Sequence, residues 1–259
     1  MLLKNSTPRI IALAGKGGVG KTTIGGILIR YLIEELKGGP ILAVDADPNS
    51  NLNEVLGVNV CSTIGEAREL MKKDVPQGMT KDVWFEYKVH EAIIEGRGFD
   101  LLAMGRPEGP GCYCAANSLA KQSIETLKKN YPFVVVDNEA GMEHMSRLVT
   151  QDIDHLYVIS DPSPRGLLTV KRIIELIREL HLTIKNWHIV VNRVRENEER
   201  DIAGLAQEKG LRITGLIRED RALARADAEG MSIFSIPKDS AVISDAYSIF
   251  GKTLLNTQR

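Results

Sequence analysis

The sequence predicts an α/β protein: a doubly wound, mostly parallel sheet flanked by helices. Three observations carry this. Short apolar runs recur along the chain, separated by stretches with helical spacing. The runs are aliphatic: hydrophobic residues make up 43% of the chain and aromatic residues only 5%, as suits strands buried on both faces. The first run passes through a glycine-rich loop straight into a helical pattern, the βα turn from which such sheets are built. At 259 residues, with no repeat, low-complexity tract or linker, residues 1–259 read as one domain.

The elements follow in order. Met1 to Pro8 reads as a short arm, and Ile10 to Ala14 as the first strand. Ile24, Ile27, Leu28, Tyr31 and Leu32 mark the buried side of the first helix, which Gly38-Gly39-Pro40 closes off. Ile41 to Asp45 is the second strand. Residues 62–98 are less regular: Ile64 to Met71 looks helical, and Trp84-Phe85-Tyr87 reads as an aromatic knot in the core rather than a docking patch. Phe99 to Met104 is the third strand. Beyond a loop rich in glycine and proline, Asn117 or Ser118 caps a helix reaching about Asn130. Strands at Phe133–Asp137, His155–Ile159, His188–Val194, Ile213–Ile217 and Ser232–Ile236 alternate with helices starting near Pro164, Asn197, Arg221 and Ser240. Spacing does not give the strand order.

Gly15-Lys16-Gly17-Gly18-Val19-Gly20-Lys21-Thr22 satisfies the phosphate-loop pattern G-x-x-x-x-G-K-[ST], and strand and helix flank it as the motif requires. Backbone N–H groups from Gly17 through Thr23 can curl round phosphate oxygens at a helix N-terminus. Lys21 reaches for the β- and γ-phosphates, and the Thr22 hydroxyl is a Mg²⁺ ligand. Asp45, Asp47 and Asp137 all follow strands, so they fall on the same sheet edge as the loop. An apolar strand ending in Asp137 is a Walker B arrangement, which holds Mg²⁺ directly or through water.

Lys16 is a second lysine within the loop. It is poorly placed for the phosphates that its own loop wraps, and better placed for a nucleotide on a second subunit. Lys16-Gly-Gly-Val-Gly-Lys-Thr-Thr23 resembles the deviant Walker A motif of the ATPase family that includes septum-site and partition ATPases, the arsenite pump ATPase and the nitrogenase iron protein. The resemblance implies a P-loop ATPase that uses ATP/ADP and Mg²⁺ and closes into a nucleotide-gated homodimer, with Lys16 crossing to the partner's nucleotide. It makes Lys16, Lys21 and Asp47 the catalytic set, Asp47 orienting or deprotonating the attacking water, and it gives Asp45 a supporting place in the metal shell. Asn51 is not made a ligand. Asp137-Asn138-Glu139-Ala140-Gly141 resembles switch II. For the adenine, the resemblance points to Asn192 with Arg193, and to Arg218-Glu219 on the other side of the base.

Cys112-x-Cys114 adds a second chemistry. Two thiolates one residue apart can grip one ion if the chain turns, which Gly109-Pro110-Gly111 favours. They half-fill a tetrahedral soft-metal site; a two-fold dimer would supply the other two sulfurs. With G-K-G-G-V-G-K-T-T, D-A-D-P-N-S-N, D-N-E-A-G-M-E-H and V-V-N-R, this C-Y-C resembles the CooC-type nickel-insertion ATPases over nearly the whole chain. That resemblance implies Ni²⁺ or Zn²⁺ at Cys112 and Cys114 in the dimer interface. It also implies delivery to apo carbon monoxide dehydrogenase or acetyl-CoA synthase. Cys61 reads as a small core residue, and His144 as the start of a polar helix.

A net charge of −1 without a long basic run argues against a nucleic-acid partner. No apolar run nears the roughly 18 residues of a spanning helix, so the expectation is a cytoplasmic protein without a membrane partner. Two rival functions remain. One is a partition- or septum-site-like switch acting on DNA, membrane or a protein partner. The other is an electron carrier, disfavoured because residues 138–150 hold no cysteine.

Overall fold

In the computed structural model, which describes residues 8–49, 51–106, 121–138, 152–180 and 182–255, the apolar runs become β1 (Arg9–Gly15), β2 (Ile41–Asp45), β4 (Phe99–Ala103), β5 (Phe133–Asp137), β6 (Asp152–Ser160), β7 (Thr183–Val194) and β8 (Ile213–Arg218). A short β3 (Ile94–Glu95) pairs antiparallel with β4; every other pairing is parallel. The order is β3-β4-β2-β5-β1-β6-β7-β8. β1 therefore lies inside the sheet, with the chain winding outward on both sides of it.

The helices are α1 (Lys21–Glu34), α2 (Leu52–Leu56), α3 (Ile64–Lys73), α4 (Lys81–Glu91), α5 (residues 121–127), α6 (Pro164–Glu179), α7 (Glu199–Glu208), α8 (Arg221–Ala228) and α9 (Ala241–Leu254). They explain why the strands read as unbroken apolar runs. Ile11 and Leu13 of β1 enter the core that α1 and α9 share, while Ile10, Ala12 and Ala14 enter the core beneath α3, α4 and α6. Ile41 and Ala43 of β2 go to the first core, Leu42 and Val44 to the second. With both faces covered, polar alternation has no place in these strands.

Three expectations fail for physical reasons. Ser232–Ile236 is not a strand but a 3₁₀ turn at Ile233–Ser235. Its carbonyls serve a buried cation instead of a ladder: Arg30 Nη1 donates to Ile233 O at 2.8 Å and Ile236 O at 2.7 Å. The aromatic knot is split between two faces of α4. Only Phe85 enters the core; Tyr87 is 55% exposed and stacks on Trp84. Cys61 is exposed rather than a core residue. Thr63 forms a capping box with Glu66, which explains why α3 starts at Ile64. Among the described residues no helix is long and apolar enough to cross a membrane.

β6 and β7 bury a histidine pair. His155 Nδ1 lies 3.0 Å from His188 Nε2, and the two rings stack at 5.3 Å. One ring must stay neutral to accept the shared proton. Burial lowers both pKa values, and His155 pushes His188 further, to about 4. A lowered folded-state pKa means that the unfolded chain binds the proton more readily. The stability is thus fully present above about pH 6.5 and is lost as pH falls toward 4. Wild type should lose roughly 1–2 kcal/mol more than His188→Phe between pH 7 and pH 5. Urea unfolding at the two pH values measures this; a pH-independent gap between the proteins contradicts it.

Candidate nucleotide site

The phosphate loop leaves β1 beside β5 and β6, at the carboxyl edge of the sheet. Gly15 pairs with Ile159 of β6. Lys16, Gly17 and Gly18 are exposed, whereas Val19 is buried and pins the loop. Gly20 takes the N-cap of α1 in a left-handed conformation, with no side-chain cap and no acid in the first turn. Uncapped first-turn N–H groups and the helix dipole both favour an anion here. Lys21 is 7% exposed and folds back so that its Nζ donates to the Lys16 carbonyl at 3.3 Å. Thr22 and Thr23 are partly buried at the start of α1.

Parallel registry brings the acids to this loop. Asp45 and Asp137 stand opposite each other on β2 and β5, and Asp137 is also in register with Leu13. Asp137 hydrogen-bonds Thr22 and feels the Lys21 charge, but burial outweighs both and raises its carboxyl to about 6. Its Oδ1 is buried without a hydrogen-bond partner. Burial likewise lifts Asp45 to about 7, although two backbone N–H groups oppose the rise. Asp47 is partly buried; its Oδ1 accepts from Asn49 N at 2.8 Å and Asn49 Nδ2 at 3.0 Å.

Hard oxygen donors, one of them an unpartnered carboxylate oxygen, suit Mg²⁺, which is bound by one or two carboxylates together with substrate phosphates. Thr22 and Asp137 fit that role. Asp45 turns its two oxygens to the backbone, accepting from the N–H groups of Asp47 and Leu52. Among the described residues no group of three or more His, Cys, Asp or Glu side chains could hold an ion by itself. Cys112, Cys114, Gly141 and His144 lie outside the described residues.

The expected base-flanking residues divide. Arg218 and Glu219 line an open cavity of about 530 Å³ at the ends of β7 and β8, with Val194, Arg195, Asp220 and Arg221. That volume suits a small ligand. Arg218 is held there by Asp245, with Nε to Oδ2 at 2.8 Å and Nη2 to Oδ1 at 2.7 Å. Arg193 is exposed, with a φ of 59°. Asn192, by contrast, is buried under the phosphate loop, and its Nδ2 donates to Val19 O at 2.9 Å. Its amide braces the loop instead of facing outward.

Sequence reasoning placed Asn138 in the switch II stretch and Asp220 in the segment Ile217-Arg218-Glu219-Asp220 beside the base, but foresaw neither one's bonds, and it missed Asp245. Asn138 Nδ2 ties the end of β5 to Leu13 O at 2.8 Å; its place directly after Asp137 was the available signal. Asp220 accepts from Ala222 N and Val242 N, joining α8 to α9 under the cavity. Asp245 lies on α9, far from Arg218 in sequence, and no local pattern marks it.

Similarity to known proteins agrees with this geometry. The family model of the CobQ/CobB/MinD/ParA nucleotide binding domain matches residues 10–233. The chain is 44% identical over 250 residues to an uncharacterized ATP-binding protein of Methanocaldococcus jannaschii, covering 95% of this chain and 98% of that one. It is 31% identical over 240 residues to the carbon monoxide dehydrogenase accessory protein CooC of Rhodospirillum rubrum, covering 87% and 89%. The septum site-determining protein MinD of Pyrococcus horikoshii, solved with Mg-ADP, matches with a TM-score of 0.71 at 22% identity, over 97% of this chain and 99% of that one. At that identity the likeness concerns the fold alone. The chain therefore belongs to the CobQ/CobB/MinD/ParA nucleotide-binding family and is an ATPase.

Proposed function

We propose that this ATPase is a metal carrier of the CooC type. ATP closes a homodimer in which Cys112 and Cys114 of two subunits hold one soft metal ion, nickel or zinc. Hydrolysis opens the dimer, and the ion passes to apo carbon monoxide dehydrogenase or acetyl-CoA synthase in the cytoplasm. The observation that carries this reading is the Cys112-x-Cys114 pair in a chain related along most of its length to a carbon monoxide dehydrogenase accessory protein.

In this reading, the loop amides and Lys21 bind the phosphates, and Lys16 of the partner subunit adds a cation at the γ-phosphate. Bound at Thr22 and Asp137, Mg²⁺ would neutralise charge on the β- and γ-phosphates. Asp47 orients the water. The water oxygen bonds to the γ-phosphorus as the bond to the bridging oxygen breaks. ADP keeps that electron pair, and the water proton passes through Asp47 to the phosphate. Arg218 and Glu219 flank the base. If ATP and metal both favour the closed dimer, each raises the affinity of the other by the same factor.

Metal titration of the reduced protein tests this, with sedimentation read at the same time. One Ni²⁺ or Zn²⁺ per dimer is expected, bound more tightly with a non-hydrolysable ATP analogue, and none by Cys112→Ser/Cys114→Ser. Unchanged binding by the double variant overturns the reading. The rival, a partition- or septum-site-like switch, draws support from the MinD and ParA members of the family. ATP-dependent sedimentation with DNA or liposomes would favour it.

A further inference from the structure

We propose that Asp45 is the positioning residue that holds the Asp47 loop in its working geometry. The inference rests on Asp47 being the acid that orients the attacking water.

Asp45 ends β2 and is 1% exposed. Its Oδ1 accepts from Asp47 N at 3.1 Å, and its Oδ2 accepts from Leu52 N at 2.9 Å. These amides stand at the two ends of the turn that carries Asp47 from the sheet edge to α2. One carboxylate thereby closes the turn on itself.

The far end of the turn needs such a partner. α2 has only five residues, and its N-cap Asn51 makes no side-chain cap bond. A helix this short retains nearly all its end groups unsatisfied. Leu52 opens α2, and its N–H finds the Asp45 carboxylate rather than a local cap. α2 is in turn seated on the phosphate-loop helix. A Cβ on Gly26 of α1 would run into the Val55 side chain, so Val55 of α2 packs directly on the α1 backbone. The near end is held as well: Ala46 N donates to Asp137 O at 2.9 Å, and Met104 N to Asp45 O at 2.8 Å. The loop thus runs from the sheet edge to α2, which rests on α1, and the Asp45 side chain bonds to both of its ends. A displacement of about 1 Å in a catalytic group can cost a hundredfold in rate.

Asp45→Asn keeps the size of the side chain but replaces one acceptor by a donor, which cannot serve a backbone N–H. Steady-state ATPase, Mg²⁺ activation curves and amide exchange by NMR test the idea, with Asp47→Asn run in parallel. The expected result is at least a tenfold lower kcat for Asp45→Asn. KM for ATP and half-saturating Mg²⁺ stay within twofold, and the Asp47 and Leu52 amides exchange at least tenfold faster. A half-saturating Mg²⁺ raised fivefold or more would make Asp45 a metal-shell group and overturn the clamp. So would an unchanged kcat with freed amides. Full activity in Asp47→Asn would remove the reading of Asp47 itself. Loss there with none in Asp45→Asn would remove only the clamp. Should Asp45→Asn fail to fold, the wild type decides. Slow exchange at Asp47 and Leu52 is required, and exchange at the rate of an unstructured chain refutes the clamp.

Discussion

Lys21→Met is expected to lower kcat/KM for ATP hydrolysis at least a thousandfold, about 4 kcal/mol of transition-state stabilisation. Methionine nearly matches the volume of the lysine stem, so the change removes a charge more than it opens a cavity. Lys21 is almost wholly buried at the start of α1, and its charge lies close enough to Asp137 to favour the ionised carboxylate. In a site screened from water, a cation aimed at phosphate counts for far more than on the surface. Circular dichroism should report an intact fold. Equilibrium dialysis separates a loss of ATP binding from a loss of turnover. Activity within tenfold of wild type would mean that the charge comes from elsewhere.

Gly15→Ala is expected to destabilise the protein by about 3–5 kcal/mol, among the larger effects of a single substitution. For a chain of this size that corresponds to a fall of roughly 10 °C in Tm. The added Cβ meets the Ile159 carbonyl, which is backbone at the last pair of the β1–β6 register, on a strand that β7 holds from the other side through Val190. It also comes to 3.2 Å from Val19 Cγ2, the side chain that pins the loop. The φ of 152° adds a conformation that residues with a Cβ rarely adopt. Relief requires β1 and β6 to part, so the phosphate loop and the sheet should fail together. Differential scanning calorimetry with and without ATP measures both. A shift under 3 °C would show that the strands accommodate the methyl group.

How legible the molecule was depended on the range of the interaction. The phosphate loop was legible because its chemistry is local: consecutive glycines, one lysine and one hydroxyl between a strand and a helix. Asp137 was legible for the same reason, as the acid that ends an apolar run. The turn at Ile233–Ser235 was not, because its apolar residues match a strand and Arg30, some two hundred residues earlier, bonds the carbonyls of Ile233 and Ile236. Trp84 and Tyr87 misled because aromatic composition does not say which face of a helix is covered. Asn192 was found at the right sheet edge, yet its direction depends on where Val19 O lies.

By itself the sequence determined the α/β class, the phosphate loop and the edge at which the acids gather. These follow from local pattern and from the rule that ligands meet parallel sheets at the strand ends. Only the tertiary structure decided the strand order, and with it that Asp45 faces Asp137 across β2 and β5. It also decided that Asp45 turns its oxygens to Asp47 and Leu52, that Asn192 braces the loop, and that Asp245 holds Arg218. Each is a bond between groups whose meeting depends on how the chain packs, and residue identity does not encode a direction in space.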